Sequence, residues 1–259
     1  MKIIYYSDLH LEFEHAWCMP EDVEGDILIL AGDIINFSNY QPLKKLLSNW
    51  DKPVFFIPGN HEYYTQVPIH YEHQKFRQWL SAELPQVLFL TDEEASINGL
   101  HFFGGTMWTD FAEGNALAMN HAQSTMNDYQ LIYQEDGKKI TPEKTIELHQ
   151  SFLNKLTRWF EKDLKGARIV LTHHAPVINP ASQHNGSQLI PAFNSLDMIE
   201  IIEKYQPDYW IYGHTHECGE QVIGKTKIVS NQLGYPNGLG RYECLDFDSY
   251  GKIFEILKS

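Results

Sequence analysis

The chain has 259 residues, enough for one large domain or two small ones, and at 43% hydrophobic and 13% aromatic it can fill a substantial core. Its net charge of −14 repels a phosphate backbone and argues against a broad duplex-binding surface; Arg77, Arg158, Arg168 and Arg241 are never adjacent and form no sequence cluster for a polyanion. No apolar run approaches the roughly 20 residues that a membrane span needs.

In chain order, the first elements are short apolar strands that each end at a metal-ligand candidate. Ile3 to Ser7 precedes Asp8-Leu9-His10. Alternation along an extended segment would put Asp8 and His10 on one side and Leu9 in the core. Ile27 to Ala31 precedes Gly32-Asp33, where glycine lets the chain turn sharply. A carboxylate beside apolar strands needs a counter-charge, which metals would supply, although a turn or helix-cap aspartate fits the residue equally well. Val54 to Ile57 is stopped by Pro58 and followed by Gly59-Asn60-His61-Glu62. Asn60 offers a neutral oxygen ligand, and His61 can act as an acid or orient a phosphate.

Thr141-Pro142 reads as a helix N-cap followed by proline at the first helical position. Phe152, Leu153, Leu156, Trp159, Phe160 and Leu164 then keep helical spacing, with His149 on the same stripe. Ile169 to Thr172 leads into His173-His174. Consecutive residues on an extended segment face opposite ways, so only one of the two should be a ligand. Tyr209 to Tyr212 leads into Gly213-His214-Thr215-His216, where two imidazoles at spacing two would point the same way. Asp, Asn and His suit Mn, Fe or Zn, and ligands gathered from several strand ends onto one rim are how an α/β enzyme builds a site.

Beyond that point Gln221 to Ile223, Lys227 to Val229, Glu243 to Phe247 and Ile253 to Leu257 read as strands. Asp248-Ser249-Tyr250-Gly251 would turn the last pair into a hairpin. Strands alternating with helices, then a run of strands, predict an α/β sandwich with mixed sheets. No repeat, low-complexity tract or linker interrupts residues 1–259, so one domain is expected. Cys18, Cys218 and Cys244 are odd in number and widely spaced, which favours a reducing compartment over a disulfide framework. The first motif begins at Asp8, leaving no room for a signal peptide, so a cytoplasmic protein is expected.

The blocks Asp-x-His, Gly-Asp, Gly-Asn-His-Glu, a later His and Gly-His-x-His, running from Asp8 to His216, resemble the calcineurin-like metallophosphoesterase family. The resemblance implies a four-layer α-β-β-α sandwich with two mixed sheets and a dinuclear centre with Mn favoured. It further implies that Asp8, His10, Asp33 and His216 bind one metal, that Asp33, Asn60, His173 and His214 bind the other, and that Asp33 bridges. His173 is taken as the ligand of the His173-His174 pair by match to the motif, leaving His174 behind it. Thr106-Met107-Trp108-Thr109-Asp110-Phe111 and Met126-Asn127-Asp128 resemble a bacterial and phage subgroup. Trp108 and Phe111 read equally well as core, and Asp110 and Asp128 as caps.

Two metals about 3.5–4 Å apart would hold a bridging hydroxide that attacks a phosphate in line. Asn60 would stabilise charge on the phosphoryl oxygens, and His61 would protonate or steady the leaving oxygen. Family members that act as protein phosphatases or dinucleoside tetraphosphatases follow Gly-Asp with Asp-Arg-Gly, whereas this chain reads Gly32-Asp33-Ile34-Ile35-Asn36-Phe37. A missing arginine clamp favours phosphodiesters over terminal phosphates. The expected partner is a small phosphate ester. A phosphomonoesterase, a nuclease and a non-catalytic scaffold are the competing readings. Tyr63, Tyr64, Phe13 and Trp17 are near enough in sequence to stack on a nucleobase, though packing is the commoner use of such residues.

Overall fold

The computed structural model describes residues 1–13, 17–182, 184–237 and 241–255. Strand β1 (Lys2–Tyr6), β2 (Ile27–Ala31), β3 (Val54–Ile57) and β4 (Val87–Phe89) run parallel. A second sheet contains β5 (Glu93–Ile97), β6 (Leu100–Gly105), β7 (Ala167–Thr172), β8 (Tyr209–Ile211), β9 (Gly219–Ile223) and β10 (Thr226–Ser230). The last described strand, β11 (Lys252–Glu255), returns to the first sheet and pairs antiparallel with β1. The sheet orders are β11-β1-β2-β3-β4 and β5-β6-β7-β8-β10-β9. The first sheet is parallel except for β11 at one edge, and the second has a parallel centre with antiparallel β5 and β9 at its margins.

The strands read as unbroken apolar runs because both of their faces are covered. Ile3, Tyr5, Ile27, Ile29, Phe55 and Ile57 meet Phe102, Ile169, Leu171, Ile211 and Val229 between the sheets. Phe55 stacks on Phe102 at 4.0 Å across that interface. The alternate residues Ile4, Tyr6, Leu28, Leu30, Val54 and Phe56 face outward to a layer that includes Leu43 and Leu47 and Phe76 and Leu80 of the helix Ile69–Glu83. On the far side, Phe103, Val170, Trp210 and Ile228 meet the helices Pro142–Phe160 and Met198–Tyr205. The four layers predicted from the resemblance are therefore present. Each buried apolar side chain contributes roughly 1.5–3 kcal/mol of transfer free energy, most of it offset by the entropy of ordering the chain.

The helix Pro142–Phe160 begins where expected, with Thr141 accepting from the Lys144 amide at 3.3 Å. The expected C-terminal hairpin is absent. Glu243 to Phe247 forms no strand, because its amides are used elsewhere: Glu243 N donates to Tyr235 O at 3.1 Å and Cys244 N to Leu233 O at 3.2 Å. The turn at Asp248 does form, with Gly251 N donating to Asp248 O at 3.0 Å, but it delivers β11 to the open edge of β1. Residues 256 and 257 of the expected last strand lie outside the described residues. Among the described residues, no helix is long and apolar enough to cross a membrane.

Candidate metal centre

The C-terminal ends of β1, β2, β3, β7 and β8 converge on one rim, where the strand-end loops are laced together. Asp8 N donates to Gly32 O at 3.0 Å, His10 N to Asp33 O at 2.9 Å, and Gly213 N to His173 O at 2.9 Å. All eight residues singled out in the sequence arrive there, but not through extended backbone. Asp8, His10, Asp33, His214 and His216 have positive φ of 53°, 45°, 53°, 71° and 49°. Left-handed non-glycine residues are costly and collect where surrounding structure holds a functional geometry. The alternation expected for Asp8 and His10 is therefore replaced by two left-handed turns, and His214 and His216 diverge instead of pointing the same way.

Two groups result. Ligand atoms of Asp8, His10 and His216 lie within 4.8 Å of one another, as do those of Asp33, His173 and His214. A third combination, His10, Asp33 and His61, meets the same limit and joins the two. Asn60 belongs beside the second group, with Oδ1 3.0 Å from His173 Nε2. The glycines make room for this convergence. Gly32 has φ +87°, and a Cβ there would lie 2.4 Å from His173 Nδ1; a Cβ on Gly59 would lie 2.1 Å from Asp33 Oδ1.

The outer hydrogen bonds fix which imidazole nitrogens face inward. His173 Nδ1 is 3.0 Å from the Ala31 carbonyl, which can only accept, so the proton is on Nδ1 and the Nε2 lone pair faces Asn60 Oδ1 and, at 3.3 Å, Asp33 Oδ2. His10 Nδ1 donates to Glu12 at 3.2 Å, and His216 Nδ1 donates to Glu243. Their Nε2 atoms then confront each other at 3.1 Å, with Asp8 Oδ1 3.4 Å from His216 Nε2. His214 Nε2 is buried and has no hydrogen-bond partner among the described residues. Lone pairs and carboxylate oxygens aimed at one another are a poor protein interior and a good cation site. The donor set fits borderline divalent ions.

Protons take up this charge when nothing else does. Burial disfavours the His173 cation, but Asp33 outweighs it and raises the pKa to about 9. Burial likewise opposes the His216 cation, while the bonds to Asp8 and Glu243 raise it to about 10. Burial dominates at His10 and His214 and lowers both. At Asp33 burial acts upward, yet His173 and His61 bring the carboxyl well below its ordinary range.

Several contributors gave weak sequence signals or none. Glu62, fully buried, accepts from Gly59 N at 2.7 Å, Asp33 N at 2.9 Å, Ile34 N at 2.8 Å and Ile35 N at 3.2 Å, clamping the two glycine turns. Burial, then Asp33, lifts its pKa to about 8. Glu12 also bonds His61 Nδ1 at 3.0 Å. Asp128 accepts from Asn60 Nδ2 at 2.8 Å and from Tyr64 OH, so it holds the amide with its oxygen inward. Asp110 is a cap, accepting from Ala112 N at 3.0 Å and Glu113 N at 2.9 Å, and Trp108 and Phe111 are buried. His174 lies behind the centre, 3.2 Å from the Thr106 carbonyl through Nδ1. Burial and neighbouring His173 push its pKa down to about 3.

A cavity of about 520 Å³ opens beside the two groups and is lined by Asp33, Asn60, His214 and His216. Tyr64 lines it, whereas Tyr63 is buried and Trp17 packs on Tyr6 and Phe247. His61 does not line the cavity, but Tyr235 does, and the Tyr235 hydroxyl lies 2.7 Å from His61 Nε2. Burial opposes a charged His61, but Asp33 and the Glu12 bond raise its pKa above the ordinary imidazole value.

The family model of the calcineurin-like phosphoesterases matches residues 1–218, and the chain belongs to that family. An uncharacterised protein of Acanthamoeba polyphaga mimivirus is 30% identical over 96% of this chain and 98% of its own length. The solved structure of a phosphopantetheinyl hydrolase from Mycobacterium tuberculosis superposes with a TM-score of 0.76 at 17% identity, covering 100% of this chain and 96% of that one. A dimetal phosphatase from Danio rerio gives 0.51 at 12% identity over 90% and 87% of the two chains. These two likenesses are ones of fold. The match with the family makes this a metal-binding phosphoesterase fold with candidate His and Asp groups at its rim.

Proposed function

We propose that this chain is a single-domain, cytoplasmic, dinuclear phosphodiesterase acting on a small substrate. The observation that carries the diester reading is the composition of the cavity. Among the described residues that line it there is no lysine or arginine, while Asp128, Glu217 and Glu243 are present. A terminal phosphate brings two charges and three free oxygens, and a third oxygen needs a cationic clamp. A diester brings one charge and two free oxygens. Met126, Val177, Ile178 and Phe193 offer an apolar wall to one ester arm, and Asn127 and Asn179 offer amides. The absence of basic lining also disfavours a nucleic-acid strand.

Asp8, His10, Asp33 and His216 would hold one divalent ion, and Asp33, Asn60, His173 and His214 the other, with Mn favoured. When bound, these ions supply Lewis acidity and an acidified water. The chain's own residues do the rest. Glu12, Glu243 and the Ala31 carbonyl keep each Nδ1 proton outward, so that the Nε2 lone pairs stay available. Asp128 prevents the Asn60 amide from flipping. Tyr235 lines the cavity and its hydroxyl touches His61, so the pair would give a proton a path to a leaving oxygen.

Hydrolysis of bis-p-nitrophenyl phosphate and p-nitrophenyl phosphate, with Mn²⁺ and with chelator, tests this reading. Chelator-sensitive preference for the diester is expected. Preference for the monoester would contradict it and favour a phosphatase.

A further inference from the structure

Cys218 and Cys244 are 26 positions apart, yet their sulfurs lie 3.0 Å from each other, with Cys218 N also donating to Cys244 Sγ at 3.2 Å. Both are half-buried free thiols, whereas Cys18 is exposed elsewhere. Their location matters more than their proximity. Cys218 follows His216 by two residues, and Cys244 directly follows Glu243, the carboxylate that holds His216 Nδ1. Neither cysteine belongs to a helix; Cys218 precedes β9 and Cys244 lies in irregular chain, so neither sulfur is fixed by a regular ladder.

We propose that Cys218 and Cys244 are a reversible disulfide-forming pair that tethers the segment carrying Glu243 to the loop carrying His216. Closing the gap to a bonded S–S separation of about 2.05 Å requires the sulfurs to move together by about 1 Å. The oxidant is a low-molecular-weight disulfide. The Cys244 thiolate attacks one of its sulfurs and expels one thiol; Cys218 then attacks Cys244 Sγ, breaks the mixed disulfide and expels the second. Two protein thiols are oxidised, one disulfide is reduced, and the two protons leave on the released thiols. The contact with the Cys218 side chain lowers the Cys244 pKa to about 7, which favours it as the attacking group.

The tether preorganises the carboxylate that orients one candidate ligand, so metal is held more tightly in the oxidised form. Disulfide formation itself stands apart from the phosphodiester reading, and its test needs no turnover. Intact protein and Cys18→Ser are incubated with millimolar oxidised glutathione, quenched in acid and mapped by mass spectrometry. A Cys218–Cys244 cross-linked peptide, reversed by dithiothreitol in both proteins, is expected. Two free thiols after oxidation, or separate glutathione adducts on Cys218 and Cys244, would overturn the pair. Calorimetric Mn²⁺ titration of Cys18→Ser, oxidised against reduced, should show affinity tighter by roughly threefold or more. Equal affinities would overturn the link to His216.

Discussion

Two clusters in this chain share an inventory, histidine among aspartates, and differ in what becomes of their lone pairs. At the sandwich rim, Asp8, His10, Asp33, His173, His214 and His216 turn ring nitrogens and carboxylate oxygens toward each other, and His214 Nε2 has no partner among the described residues. On the outer face of the second sheet, Asp110, His149 and Asp197 also bring ligand atoms within 4.8 Å. There all but one of the atoms are already used, Asp197 Oδ1 alone being left without a partner among the described residues. Both Asp110 oxygens cap amides, His149 Nδ1 bonds the Trp108 carbonyl, and His149 Nε2 meets Asp197 at 3.0 Å. Asp197 is also one-third exposed, with 33% of its side chain open to water. Composition and proximity therefore do not make a cation site. Several donor atoms left over from both imidazoles and carboxylates, and aimed at one another, do.

Substitution at the two clusters breaks this comparison most sharply. Asp33→Asn should lower metal-dependent turnover on the order of 10³-fold and reduce bound Mn²⁺. Asp197→Asn should change neither by more than roughly threefold. Metal content by mass spectrometry alongside turnover checks both, and equal effects at the two sites would refute the distinction. A smaller effect is expected at Asp128, which touches Asn60 without facing the ligand atoms. Asp128→Ala should weaken Mn²⁺ binding about 10–100-fold, while an unchanged affinity would remove its positioning role.

The smallest effect is a pH dependence. His173 and His216, at about 9 and about 10 in the metal-free fold, hold protons more tightly than an unfolded histidine near 6.5 does. The stability they contribute is complete below about pH 6.5 and is lost as pH rises through their folded values. Glu62, at about 8, acts with the same sign between its unfolded value and that pH. In chelator, the melting temperature should therefore fall by a few degrees between about pH 7 and 10. A flat or rising profile would show that the rim is not a protonated cluster when metal-free.

What the sequence made legible were features written locally. β2 and β3 begin and end where the apolar runs do, and Thr141-Pro142 marks its helix start. Every ligand candidate stood beside its own strand. The hairpin between β5 and β6 also carried a local signal, Asn98-Gly99 with φ of 52° and 79°, that the strand pattern alone did not bring out. What was not legible depends on distant partners. Tyr235 and Glu243 reach His61 and His216 from beyond the family-matched segment, with no spacing that announces them. Asp128 sits 68 positions from Asn60. The proposed C-terminal hairpin failed because β1 offered an open edge, a fact of sheet order and not of pattern. The left-handed turns at Asp8 and His10 were likewise invisible to strand alternation.

The unused donors at the rim are proposed to hold two divalent ions. Calorimetric titration of chelator-stripped protein with Mn²⁺ near pH 8 tests this most directly. Two equivalents per chain are expected, with protons released as His173 and His216 give up theirs. Binding of no ion, or of a single ion that survives Asp33→Asn, would contradict it.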